Sequence, residues 1–106
     1  MLRSGEKIIL QEDCAEDKLK NGILTLTNQR IIFEKTEGRM ATLSKKTGDI
    51  VLDIPLKNIA FVESQGFIIA KVVIGVDEKI YKFGVLSTGR WAKTIKAQVT
   101  SVNKSE

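Results

Sequence analysis

Apolar residues recur at every second position through most of this 106-residue chain, and short clusters of Gly, Asn, Asp and Ser reset the alternation. A period of two puts successive side chains on opposite faces of an extended strand, and the resets mark turns. Residues 22–33 carry the pattern most clearly. Two β-prone runs, 23–27 and 30–33, are separated only by Asn28 and Gln29. That spacing predicts a hairpin, with Asn28 supplying the positive φ of a tight turn. Leu24 and Leu26 share one face of the first run, and Ile31 and Phe33 share one face of the second. Thr25 and Thr27 take the other side, as suits a half-exposed pleat.

The same reading predicts strands over 7–10, 18–27, 30–35, 49–54, 57–64, 67–76 and 79–85. The sixth is apolar on both faces except at Lys71, which suits a strand covered on both sides. Pro55 cannot donate to a ladder and marks an edge, bulge or break. Residues 12–17 hold four carboxylates, with Cys14 among them, and read as an exposed acidic loop. Residues 36–48 lose the pattern and form the longest connection, of the kind that carries function or moves. Met40 and Leu43 would either anchor it or prolong the strands beside it.

From residue 88 the period changes. Trp91, Ile95, Val99 and Val102 fall on one stripe, with Arg90, Lys93, Lys96 and Lys104 elsewhere. This predicts an amphipathic helix over about 88–103, with Ser87 or Thr88 as N-cap. Seven short strands and one helix predict an antiparallel barrel or sandwich, the helix closing one end and Trp91 entering the core first.

Composition then narrows the chemistry. The length is that of one domain, 1–106, able to bury a core without disulfides or metal. There is no histidine and one cysteine, so Cys/His or Ser/His catalysis, zinc sites and an internal disulfide framework are excluded. No paired carboxylates, activated nucleophile or phosphate-cradling glycine loop occurs at usable spacing, so the reading is non-enzymatic, with no cofactor. Residues 1–53 carry nine basic and nine acidic side chains, and residues 54–106 carry eight and four, so the whole net charge of +4 lies in the second half. That surplus suits an anionic partner. Nucleic acid is disfavoured, because the one Trp, one Tyr and four Phe read as core and not as a stacking platform. With no signal peptide and no apolar run of membrane-spanning length, the expected location is cytoplasmic, any membrane contact being peripheral.

Gly22, Leu26-Thr27-Asn28, Arg30, Ile31-Ile32 and Phe33 together resemble the hairpin of a pleckstrin-homology (PH)-like domain of the GRAM, bacterial-PH or GLUE type. The segment 54–59, Ile-Pro-Leu-Lys-Asn-Ile, resembles the approach to that family's fifth strand, and a helix led by Trp91 resembles its capping helix. The resemblance implies a seven-stranded barrel of two near-orthogonal sheets capped by one C-terminal helix. It also implies a binding module, a membrane-associated adaptor that contacts anionic lipid, protein, or both. The alternative it implies is a purely protein-binding module for ubiquitin or a peptide, as in the GLUE domains of the ESCRT-II assembly.

Typical phosphoinositide-binding members place cations around the loop between the first two strands. Here that loop holds Glu12, Asp13, Glu16 and Asp17, which would repel a phosphate. The expected lipid or anion contacts therefore move to Lys35, Arg39, Lys45 and Lys46. Phe67, Ile68 and Ile69 are the expected protein-contact patch, and Arg30 is expected to bridge to a turn or carboxylate.

Overall fold

The alternating runs form seven antiparallel strands in the computed structural model, which describes residues 2–36, 46–66 and 70–104, and the backbone alone of 46–49. They are β1 (Ile8–Glu16), β2 (Lys20–Thr27), β3 (Arg30–Thr36), β4 (Lys46–Pro55), β5 (Ile59–Gln65), β6 (Lys71–Val76) and β7 (Lys79–Gly84). A single 3₁₀ turn, Leu56–Asn58, follows Pro55, and one helix, α1 (Thr88–Lys104), ends the described chain. No described helix is long and apolar enough to cross a membrane.

The central hairpin has the predicted register, with Leu24 opposite Phe33 and Leu26 opposite Ile31. Its turn is built differently from the expectation. Among the described non-glycine residues only Lys20 and Asp77 have positive φ, so Asn28 does not. Instead the Thr27 hydroxyl oxygen accepts the N–H groups of Gln29 and Arg30, both at 3.0 Å, and holds the turn closed. Asn28 is thereby released to tie down the N-terminal segment. Its Oδ1 accepts the Lys7 N–H at 2.8 Å, and its Nδ2 donates to the Gly5 carbonyl at 3.1 Å.

The acidic loop expected over 12–17 is not a loop. β1 runs through it to Glu16, paired with β2 from Ile8 onward, with one irregularity between Ile8 and Leu10, and with β7 at Ala15 and Glu16. The reason is alternation. Cys14 and Glu16 turn inward and are buried, whereas Asp13 and Ala15 are exposed. Polarity suggests solvent exposure, but Glu16 is met by the backbone of its own turn and Glu12 by donors 74 and 79 positions away.

β1 is also what joins the two halves of the fold. The order β4-β3-β2-β1-β7-β6-β5 makes one continuous sheet in which β1 links the β2–β4 half to the β5–β7 half. The sheet curls so that both halves face one core, containing Leu24, Phe33, Ile54, Val72, Ile74 and Phe83. Phe33 and Phe83 sit three strands apart in that order, yet their ring centroids are 5.9 Å apart across the core. β6 is central as expected, with Val72, Val73 and Ile74 all buried. The expected part of this strand at 67–69 lies outside the described residues. β4 begins at Lys46, opposite Thr36, earlier than the alternation suggested.

Trp91, Ala92 and Ile95 bury one stripe of α1, which packs against β5, β6 and the 3₁₀ turn. The helix start is held by Thr88, whose hydroxyl donates to the Val85 carbonyl at 3.0 Å.

Candidate functional site

Three of the four carboxylates in β1 and its following turn are satisfied from within. Glu16 accepts the backbone N–H groups of Lys18 and Leu19, both at 2.8 Å, and so caps the β1–β2 turn. Glu12 accepts the Trp91 indole N–H at 2.9 Å and the Leu86 backbone N–H. Asp17 pairs with Lys71, which lies 54 positions later in the chain. Asp13 remains exposed. Of these acids only Asp17 is paired with a countercation, whereas Glu12 and Glu16 act as acceptors for neutral donors within the fold. Buried among these acids, the Cys14 thiol is pushed up to about 12, first by burial and then by Glu12, Glu16 and Asp13. A thiol so protonated is no nucleophile.

Around Asp17 the sheet gathers cations. Its carboxyl is held below the usual range, chiefly by the hydrogen bond from Lys71 and then by the charges of Lys71, Lys82 and Lys20. The strands explain the gathering. Phe83 and its cross-strand partner Val72 point into the core, so Lys71, Lys82 and Gly84 take the outer face. Ala15, opposite Gly84, takes the same face and is exposed. Lys82 lies two positions before Gly84 on β7 and Lys71 lies on the neighbouring β6, so both stand beside the Gly84–Ala15 pair, whose side chains are no larger than a methyl group. The Asp17 N–H donates to the Lys82 carbonyl at 3.2 Å and fixes the β1–β2 turn to this patch. Three lysines and one carboxylate make a net-positive surface patch suited to an anion.

Arg30 has a different role, the bridging one expected. Its side chain is buried, donating to Glu6 Oε2 at 2.8 Å and to Asp53 Oδ2 at 2.7 Å. Glu6 also accepts the Thr27 hydroxyl at 2.7 Å and the Arg3 N–H at 2.8 Å. Those donors, Arg30 foremost, hold the Glu6 carboxyl at about 2. The cluster clamps the N-terminal segment to the central hairpin and to β4 and commits the buried Arg30 guanidinium to that task.

Of the residues expected to bind, Lys35 is exposed on β3 opposite Gly22, and Lys46 opens β4 opposite Thr36. Arg39, Lys45, Phe67, Ile68 and Ile69 lie outside the described residues. Sequence reasoning missed Lys71, Lys82 and Lys20 as a group because they come from three separate strands. The one available signal was the lone Lys71 at the start of an otherwise apolar run. Among the described residues no cluster of acidic and Cys side chains could hold a metal ion.

No family model and no curated protein matches this sequence. Solved structures do resemble it. One is the Vps36 N-terminal PH domain, with a TM-score of 0.73 and 16% identity over 98% of this chain and 86% of that one. At that identity the likeness speaks for the fold, which is PH-like: seven antiparallel strands and one C-terminal helix.

Proposed function

We propose, starting from the PH-like fold, that this chain is a non-enzymatic binding module that attaches peripherally to anionic membrane surfaces in the cytoplasm and serves there as an adaptor for protein partners. PH-like folds hold ligands at loops and sheet faces rather than transforming them. The observation that carries the reading is the gathering of Lys20, Lys71 and Lys82 around Asp17, beside the small Gly84–Ala15 pair. Each cation near an anionic surface contributes about 1 kcal/mol. Lys35 and Lys46 belong to the ends of β3 and β4, level in register with the start of β2, and would extend the same contact. Arg39 and Lys45 join them in the proposal on sequence grounds.

The test is sedimentation with vesicles of phosphatidylcholine alone and with added anionic lipid. Binding should require the anionic lipid and fall as salt rises past the point where the Debye length is about 10 Å. Lys71→Ala with Lys82→Ala should weaken it at least tenfold. Equal sedimentation with neutral vesicles, or none at low salt, would remove the lipid reading.

A second reading, a purely protein-binding module for ubiquitin or a peptide, has its own observation. On the outer face Phe61, Gly75 and Ile80 lie directly across from one another on β5, β6 and β7. Phe61 and Ile80 are 41% and 56% exposed, an apolar row of the kind that protein partners cover. Resonance shifts on adding ubiquitin, confined to that row and abolished by Phe61→Ala, would support it. Shifts elsewhere would not.

A further inference from the structure

Leu86 is the most exposed large apolar side chain among the described residues, at 95% against 56% for Ile80, the next. It sits in the turn between β7 and α1. The Ser87 carbonyl accepts the Trp91 N–H at 2.9 Å, the first bond of the helix, so Ser87 is the N-cap and Leu86 the residue before it. An apolar residue at that position ordinarily packs on the fourth helical residue, here Trp91. Trp91 instead sinks into the core at 1% exposure, and Leu86 is left uncovered.

The turn is held in this shape from both sides. Glu12 Oε2 accepts the Leu86 N–H while its other carboxylate oxygen accepts the Trp91 indole N–H. The Thr88 hydroxyl, bonded to the Val85 carbonyl, also lies 3.4 Å from the Ala70 carbonyl, just before β6. Leu86 is thus presented by a backbone already ordered, and little ordering is left for a partner to impose.

The turn also adjoins the lysine patch. The register of Val72 with Phe83 carries on to place Lys71 across from Gly84, two positions before Leu86. On the other side α1 contains no acidic residue, and Arg90 and Lys93 in its first two turns are exposed. The acids of this region are Glu12, which holds the turn, Asp17, which is paired with Lys71, and Asp13, exposed on β1. Lys20, Lys71, Lys82, Arg90 and Lys93 outnumber them.

We infer that Leu86 is a membrane anchor, inserting its side chain among the lipids while the lysine patch and the start of α1 face the anionic headgroups; this rests on the membrane reading already proposed. A bilayer suits the geometry because it offers negative charge at the surface and hydrocarbon just beneath. A protein partner would call for a contiguous apolar patch. Ile80, the nearest exposed apolar side chain along β7, is six positions back, with Lys82 and Gly84 between. One leucine gives a shallow and reversible contact, so the apolar and charged parts act together.

The experiment uses the whole chain and vesicles of phosphatidylcholine with and without phosphatidylserine. Leu86→Ser changes a solvent-exposed side chain and should leave the thermal melt unchanged. It should weaken sedimentation with anionic vesicles about tenfold, as loss of a leucine from an apolar phase does. That factor should persist as salt rises, whereas the factor for Lys71→Ala with Lys82→Ala should shrink. Leu86→Trp, with the unchanged chain as blank for Trp91, should shift its emission to the blue on anionic vesicles and be quenched by lipids brominated on their acyl chains. The inference fails, and the lysine patch stands, if Leu86→Ser binds as tightly as the unchanged chain or if Trp at 86 keeps its emission in water on bound vesicles. A blue shift that grows with protein concentration and needs no vesicles would assign Leu86 to a second copy of the chain and overturn it. No sedimentation of the unchanged chain at low salt would remove both readings.

Discussion

Trp91 in the first turn of α1 donates its indole N–H to Glu12 in the middle of β1, at 2.9 Å and 79 positions apart in sequence. The contact gives a half-buried carboxylate on β1 a partner and fixes the capping helix against the curled sheet. Trp91 is 1% exposed, so its N–H has no water to fall back on. Glu12→Ala should therefore cost about 1–3 kcal/mol, the penalty of an orphaned buried donor. Trp91→Phe combined with it should show a coupling of about 1 kcal/mol in guanidinium unfolding followed by circular dichroism. Strict additivity would mean that the bond does not hold the helix.

Glu6 should make stability acid-sensitive. Its carboxyl is lowered from 4.5 to about 2, mainly by Arg30. A depressed acid contributes stability that is fully present above its unfolded value and is lost as pH falls through the folded one. The loss should therefore fall between about pH 4.5 and pH 2 and amount to about 3 kcal/mol. Glu6→Gln should flatten urea-unfolding free energies across that window. It should also lower stability at neutral pH by about 3 kcal/mol, because Arg30 is left buried with one fewer countercharge.

Two glycines should respond differently to alanine. At Gly22 an added Cβ would meet the Phe33 ring at 2.5 Å and the Glu34 backbone carbonyl at 2.7 Å, and neither can move away from a core strand. At Gly75 the three nearest atoms all belong to the Phe61 ring, which is partly exposed and can swing outward. Gly22→Ala should cost about 3 kcal/mol and Gly75→Ala about 1 kcal/mol, within the range for overpacking. Thermal melts of the two variants decide it.

Cys14 should be silent to thiol reagents in the folded chain. It is buried and its thiol is raised to about 12, so almost no thiolate exists at pH 8. Labelling by a disulfide reagent should proceed only at the rate of opening, accelerate with urea, and follow the unfolding curve. Fast labelling in buffer would show that β1 opens locally.

Removing the negative charge at the centre of the lysine patch should improve anion binding. Asp17→Asn leaves the backbone bond to Lys82 intact and frees Lys71 from its ion pair. Vesicle affinity should rise about threefold to tenfold at low salt, and the gain should vanish at high salt. An unchanged affinity would place the membrane contact elsewhere on the surface.

The hairpin at 22–33, the seven strands and the Trp91-led helix were legible because each is a local matter: period two, period 3.6 and turn residues act over a few positions. The same locality explains the failures. Nothing near residue 12 announces that Trp91 and Leu86 will supply donors, so the acidic run reads as a solvated loop, although its alternate positions already fit a strand. Asn28 was assigned a turn conformation that Thr27 made unnecessary, freeing Asn28 to hold the residues near Gly5 and Lys7.

Sequence alone determined the strands, the helix and the apolar set that fills the core, because burial of alternating side chains is written into the order of residues. Tertiary structure decided which charges face outward. It turned Glu12 and Glu16 inward, consumed Arg30 in a clamp, and assembled Lys20, Lys71 and Lys82 around Asp17. Charges act through space over several ångströms, and only the folded sheet sets those distances.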